Sequence, residues 1–263
     1  MANILTRRSG RALLVGAAAA VALGAAALPA SADSEPTLAE LMADCASGVG
    51  KCTFNDPEVG KAYLGNYHQV SDTLYNCSTS DATQGLNWSD KVGSTDSLEV
   101  SITAGGKIAG IVDLSVTAKY GHSWTTEHSD GGSMGMTIKS GEVGWISRAQ
   151  VMRPVTGMWQ THYNDPHWGH YYWYFPYPDG DTVVSPAPND TDGVKNAVVV
   201  KTRPMTDAEK ASCGAHNGKT FLSKTKVEVP KADNAPRKGT PGKPTPGDDG
   251  KPPAREEKTD KKQ

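Results

Sequence analysis

Residues 96–120 read DSLEVSITAGGKIAGIVDLSVTAKY. Apolar and polar side chains alternate in both halves of this segment, and a glycine-rich turn at 105–110 separates the halves. Alternation with a period of two is typical of a β-strand that has different surroundings on its two faces. The segment therefore predicts an antiparallel β-hairpin with one apolar face and one polar face.

The length and pattern of this hairpin also suit a transmembrane β-barrel. A tilted strand needs roughly nine to eleven residues to cross a bilayer, and its side chains alternate between lipid and a watery lumen. Backbone groups must all pair in hydrocarbon, so such hairpins insert only as a closed ring of copies. The predicted lipid-facing side chains are Leu98, Val100, Ile102, Ile108, Ile111, Val112, Leu114 and Val116. The predicted lumen-facing side chains are Glu99, Ser101, Thr103, Asp113, Ser115, Thr117 and Lys119. A half-buried hairpin of a soluble sandwich shows the same alternation, so the pattern alone leaves both structures open.

The composition around the hairpin predicts a mainly β protein. Between residues 78 and 140, 19 of 63 positions are Ser or Thr, interspersed with Val, Ile and Leu. This is strand composition with few helix signals. Capping boxes at Thr37 with Glu40 and at Thr206 with Glu209 predict two short helices outside this region. We expect one elongated, antiparallel β domain over residues 33–229, with a short N-terminal helix.

Both ends of the chain differ from this body. Residues 1–32 contain three arginines, an Ala/Val/Leu run and a small-residue cleavage site that ends at Ala32, as a secretory signal peptide does. Residues 230–263 are rich in Pro, Gly and Lys and contain almost no apolar side chains, which predicts a disordered tail. We therefore expect a secreted, extracellular protein that is cleaved near Ala32.

An even number of cysteines in an exported chain predicts disulfides. The four are Cys45, Cys52, Cys77 and Cys213. Three pairings are possible, and we favour Cys45–Cys52, which closes a local loop, with Cys77–Cys213, which ties the two ends of the body together. The cysteines form no closely spaced pair of the kind found in zinc sites. His162, His167 and His170 could hold zinc or copper, but no carboxylate or thiolate is placed to complete a known ligand spacing, so we expect no metal and no cofactor.

Residues 159–177 hold half of the aromatic side chains of the chain. Amphipathic aromatic rings suit sugar faces, choline-like headgroups and bilayer interfaces. The predicted surface for receptor binding consists of Trp159, Tyr163, Trp168, Tyr171, Tyr172, Trp173 and Tyr174. The alternative is that these rings form the core between sheets.

Charge and motifs exclude some functions. The body carries a net charge of about −8, between a basic signal peptide and a basic tail, which argues against nucleic-acid binding. The sequence has no G-x-S-x-G elbow, no H-E-x-x-H and no P-loop, so we expect no enzymatic activity.

From about residue 86 to 157 the chain resembles the aerolysin / ETX-MTX2 family of β-pore-forming toxins. The resemblance is carried by NWSDKVG at 87–93, the alternating hairpin, AKYGHSW at 118–124 and SGEVGW at 140–145. It implies two long strands that flank the hairpin, docking on a target-cell lipid or glycan, self-association as a ring, and insertion of the hairpins as one barrel. The rival interpretations are a secreted β-sandwich module that binds carbohydrate or lipid headgroups without pore formation, and an extracellular hydrolase.

Overall fold

A computed structural model describes residues 35–96, 98, 106–229, 231, 235, 242–247 and 250–251. These residues form fourteen strands and three α-helices, and all strand pairs are antiparallel. The prediction of a mainly β fold is confirmed. The predicted signal peptide lies outside the described residues, as do Glu99, Val100, Ser101, Ile102 and Thr103 of the predicted hairpin.

The largest sheet is built on one long strand, β9 (Val151–His167). Its partners on one edge are β1 (Lys51–Val59) and β2 (Tyr63–Leu64), and those on the other edge are β10 (His170–Tyr177) and β11 (Asp181–Pro186). Two short strands extend this second side, β6 (Thr95–Asp96) beside β11 and β14 (Lys243–Gly247) beside β10.

A second sheet forms around β8 (Glu142–Ala149). Its other members are β3 (His68–Gln69), β4 (Thr73–Tyr75), β12 (Ala197–Pro204) and β13 (Phe221–Ser223). A third, two-stranded sheet consists of β5 (Ala82–Gly93) and β7 (Glu127–Ile138), each of 12 residues. We call this pair the β5–β7 ribbon.

Two of the three α-helices in the described part of the chain begin where the sequence predicts caps. Helix α1 (Leu38–Ser47) follows a complete capping box at Thr37, and α3 (Asp207–Ser212) follows one at Thr206. Between them lies α2 (Gly106–Tyr120), and a short 3-10 helix (Cys213–His216) continues α3. None of the helices in the described part of the chain has both the length and the apolar character needed to cross a membrane.

Both favoured disulfides are confirmed. Cys45–Cys52 joins α1 to β1, and Cys77–Cys213 links positions 136 residues apart. A cross-link over so long a loop removes much conformational freedom from the unfolded chain.

The prediction of a disordered tail is wrong for β14. This strand pairs with β10, with Thr245 opposite Tyr174 and Gly247 opposite Tyr172. A side chain at Gly242 would place its Cβ 2.0 Å from the Tyr177 carbonyl oxygen, so glycine is needed for this close approach. Composition predicts disorder because little apolar surface is available. An open sheet edge supplies backbone hydrogen bonds instead, which composition does not report.

Truncation of residues 230–263 is expected to expose the outer edge of β10. Its backbone amides should then exchange hydrogen faster, because half of the ladder that protects them is removed. Exchange measured by mass spectrometry checks this, with β12 as the internal reference. Equal protection of β10 in the full and truncated chains would contradict the pairing with β14.

Candidate functional site

The second half of the predicted hairpin is helical, so the prediction of a strand at 112–119 is wrong for this structure. In α2, Ile108, Val112 and Val116 lie one turn apart and are buried, whereas Leu114 is 71% exposed. Apolar side chains in this segment recur at every fourth position, which suits a helix, and also at every second position, which suits a strand. Packing against neighbouring elements decides between them, because propensity is a weak determinant of structure.

Helix α2 packs into a cradle formed by α1 and β1, which the Cys45–Cys52 disulfide joins. The buried face of α2 contacts a core that includes Leu41 and Met42 of α1 and Phe54 of β1.

Two hydrogen bonds fix the ends of α2 in this cradle. Lys107 Nζ donates to the Ser47 carbonyl oxygen over 3.1 Å, and Tyr120 Oη donates to the Pro57 carbonyl oxygen over 3.1 Å. The helix is therefore held by packing along its length and by polar contacts at each end.

One serine ties both arms of the segment to the large sheet. Ser185 Oγ of β11 lies 2.5 Å from Ser94 Oγ and accepts a hydrogen bond from Trp124 Nε1 over 2.7 Å. Trp124 is buried, and its backbone N–H also donates to Asp113 Oδ1 of α2 over 2.5 Å. The chain therefore leaves the ribbon at Ser94 and returns to it at Thr126, with both junctions held on β11.

The β5–β7 ribbon flanks this segment, as the family resemblance leads us to expect. Its register runs without a bulge from Ala82 opposite Ile138 to Gly93 opposite Glu127. The same register reaches one position further, where Ser94 N donates to the Thr126 carbonyl oxygen over 3.0 Å.

The two faces of the ribbon differ in the same way as those of the predicted hairpin. Even-numbered positions include Leu86, Met136 and Ile138, which are buried against Ile146 of β8. Odd-numbered positions of both strands are mostly small or polar, and all of them are exposed except Gly93, which is half-buried. The ribbon is thus amphipathic, with its apolar face covered by the second sheet.

A charge cluster lies within this apolar face. Asp90 and Asp130 stand directly opposite each other in the ribbon. Arg148 of β8, whose side chain is fully buried, binds both carboxylates: Nη1 lies 2.5 Å from Asp90 and Nη2 3.2 Å from Asp130. His68 Nε2 of β3 is 2.8 Å from the other oxygen of Asp90.

These contacts shift the pKa values of His68 and Asp90 in opposite directions. The hydrogen bond to Asp90 raises the pKa of His68 above its ordinary value, against the opposing effect of burial. Burial alone would raise the pKa of Asp90, but the hydrogen bonds from His68 and Arg148 outweigh it, and the pKa of Asp90 is lowered. Sequence reasoning missed this cluster. The available signal was two aspartates at even-numbered positions of strands whose even-numbered face is apolar.

Four of the seven predicted surface aromatics are buried, so their prediction as a receptor-binding surface is wrong. Trp159, Trp173 and Tyr174 are 0–1% exposed, and Tyr163 is 3% exposed. They lie on β9 and β10 in the middle of the large sheet, where large rings fill the core.

The other three predicted aromatics lie at the outer end of the β9–β10 hairpin. Tyr171 is 44% exposed. Tyr172 stacks on His162 with ring centroids 4.4 Å apart, and Trp168 stacks on His167 at 3.9 Å. We call these three aromatics with their two stacked histidines the aromatic tip. Its role in docking stays a prediction.

Comparison with known proteins adds little to this geometry. No protein-family model matches the chain, and no curated protein matches it significantly. Among solved structures, parasporin-2 of Bacillus thuringiensis, described as a toxin that recognises cancer cells, is similar over 59% of this chain and 73% of its own. The sequence identity is 12% and the TM-score is 0.16. A similarity with so low a TM-score carries no argument about the fold or function of this chain.

Proposed function

We propose that this protein is a secreted pore-forming protein in which α2 leaves the cradle and residues 94–126 lengthen the β5–β7 ribbon and insert as an amphipathic hairpin. The observation that supports this proposal is that apolar side chains occupy even-numbered positions both in the β5–β7 ribbon and in the segment between its two strands. Continued past Ser94 and Thr126, the register of the ribbon would place Ile108 opposite Val112 and centre the turn on Gly110.

In this extended register the faces of the ribbon and of the hairpin coincide. The even-numbered face, apolar in the ribbon, would continue through Leu98, Val100, Ile102, Ile108, Val112, Leu114 and Val116. The odd-numbered face would continue through Glu99, Ser101, Thr103, Asp113, Ser115, Thr117 and Lys119. A shift of one residue would put the two patterns out of phase, because side chains alternate strictly along a strand. Ile111 would fall in the turn rather than on the lipid face.

Cross-strand pairs also suit the extension. Lys107 would face Asp113, and Thr103 would face Thr117, as Thr83 faces Thr137 with a hydrogen bond of 2.8 Å in the ribbon itself. Opposite charges and threonine pairs stabilise antiparallel ladders by roughly 0.2–1 kcal/mol each.

The helical form of 106–120 is compatible with later conversion to a strand. Ile108, Ile111, Val112 and Val116 are β-branched, and Gly110 lies inside the helix. Such residues lower helix propensity, so α2 depends on its cradle for stability. Removed from the cradle, the segment would prefer the extended form, which in a membrane is stable only when several copies close a barrel.

Docking on the target would use the aromatic tip. Exposed Tyr171 and the two ring stacks offer flat, amphipathic surfaces to a sugar or a choline headgroup. Docking without insertion would correspond to the rival binding module, and dye-release experiments separate the two.

Locking α2 to α1 is expected to abolish dye release. Ser47 and Lys107 are exposed and in contact, and all four native cysteines are paired, so Ser47→Cys with Lys107→Cys can be joined selectively by a short bis-maleimide. The test uses vesicles of phosphatidylcholine, cholesterol and mixed gangliosides, which offer both headgroup classes.

The controls are the two single-cysteine variants capped with a monofunctional maleimide, which should release dye normally. If the locked protein is as active as these controls, the segment does not need to leave the cradle and the proposal is wrong. Vesicle binding without release by every variant would favour the binding module.

A further inference from the structure

The charge cluster is placed to control whether the ribbon stays on the second sheet. Four elements contribute one charged or titratable group each: His68 from β3, Asp90 from β5, Asp130 from β7 and Arg148 from β8. Without Arg148, the ribbon would carry two carboxylates directly opposite each other, which is unfavourable in a ladder. The ribbon therefore depends on β8 for its counter-ion.

The proton on His68 sets the charge balance of the cluster. With His68 neutral, two carboxylates share one guanidinium. With His68 protonated, two cations meet two anions, and the hydrogen bond to Asp90 becomes an ion pair. His68 is 42% exposed on its side chain, so solvent can exchange its proton while Arg148 stays buried.

We propose that His68, Asp90, Asp130 and Arg148 form a pH-dependent latch that holds the β5–β7 ribbon on β8 at mildly acidic pH and loosens when His68 loses its proton. The claim that the latch regulates pore formation rests on the proposed function. The claim that the latch holds the ribbon on β8 is independent of that function.

The direction follows from the two pKa shifts. His68 has a raised pKa in the folded protein, so its stabilising contribution is complete below its ordinary value of 6.5 and is lost as the pH rises through the raised value. Asp90 has a lowered pKa, so its contribution is complete above its ordinary value of 3.8 and is lost as the pH falls through the lowered value. The latch is therefore tightest in mild acid, and it loosens as the pH becomes alkaline.

Hydrogen exchange of the full chain at pH 5.5 and pH 8.5 tests the latch. After correction for intrinsic exchange rates, the protection of β5 and β7 amides relative to β12 should fall at the higher pH. The fall should be at most about tenfold for each unit by which the pKa of His68 is raised. Strand β12 is the reference because its backbone pairs along the whole length of β8 and none of the four groups of the cluster lies on it.

Two variants make the result specific. In His68→Gln, the protection of the β5 and β7 amides should be low at both pH values, equal to that of the unaltered protein at pH 8.5. His128→Gln removes the histidine that lies two positions before Asp130 on β7 and should behave like the unaltered protein. The latch is wrong if the protection of the ribbon does not change with pH, or if the dependence survives in His68→Gln.

Dye release from the same vesicles forms a separate arm. Release should be faster at pH 8.5 than at pH 5.5, and His68→Gln should release equally at both. Equal release by the unaltered protein at both pH values would refute the latch as a gate. Absence of release at either pH would contradict the proposed function, while the exchange result would still decide whether the latch exists.

Discussion

Leu114→Arg is expected to abolish dye release without lowering the stability of the soluble protein. In α2 this side chain is 71% exposed, and Leu and Arg have similar helix propensities, so the folded form should tolerate the change. In the proposed hairpin the same position lies on the lipid face near the turn, which crosses the membrane first. The introduced arginine would then pass the bilayer midplane, at about 2–4 kcal/mol per copy.

Ser115→Arg is the matched control. It adds the same charge at the next position of the same helix, but on the face that would line the lumen, so release should be retained. Urea unfolding of both variants would show that neither effect comes from instability. Normal release by Leu114→Arg would refute insertion of this strand, and equal loss by both variants would refute the assignment of faces.

Arg148→Met is expected to lower the free energy of unfolding by about 3–5 kcal/mol, the range seen when one partner of a buried ion pair is removed. Arg148 is fully buried, and its loss would leave Asp90, which is 6% exposed, without its main counter-ion. Urea denaturation measures this change directly.

Neutralising the whole cluster should recover most of that loss. In the triple variant Asp90→Asn, Asp130→Asn and Arg148→Met, no buried charge is left unpaired, and such replacements are often close to neutral. Asp130 is 43% exposed, so Asp130→Asn alone should cost less than Asp90→Asn alone. A loss below about 1 kcal/mol for Arg148→Met would mean that the cluster behaves as a surface ion pair.

The β5–β7 ribbon shows which features the local sequence can predict and which it cannot. Ala82–Gly93 and Glu127–Ile138 lie in the region whose Ser/Thr-rich composition predicts strands, and the family resemblance implies two long strands on either side of the hairpin. The charge cluster was not predictable. Arg148 lies in the second sheet and Asp90 and Asp130 in the β5–β7 ribbon, and the sequence does not show that these two sheets pack together.

By itself, the sequence determined the mainly β fold, the capping boxes at Thr37 and Thr206 and the presence of two disulfides, whose pairing it favoured among three possibilities. These features depend on side-chain alternation, on hydrogen bonds over three residues and on which ends of the body need a cross-link. Only the tertiary structure decided that 106–120 is a helix, that Trp159 is core and that 243–247 is a strand. In each case the local pattern suits two environments, and burial against α1 and β1, the interior of the large sheet, or an open strand edge selects one of them.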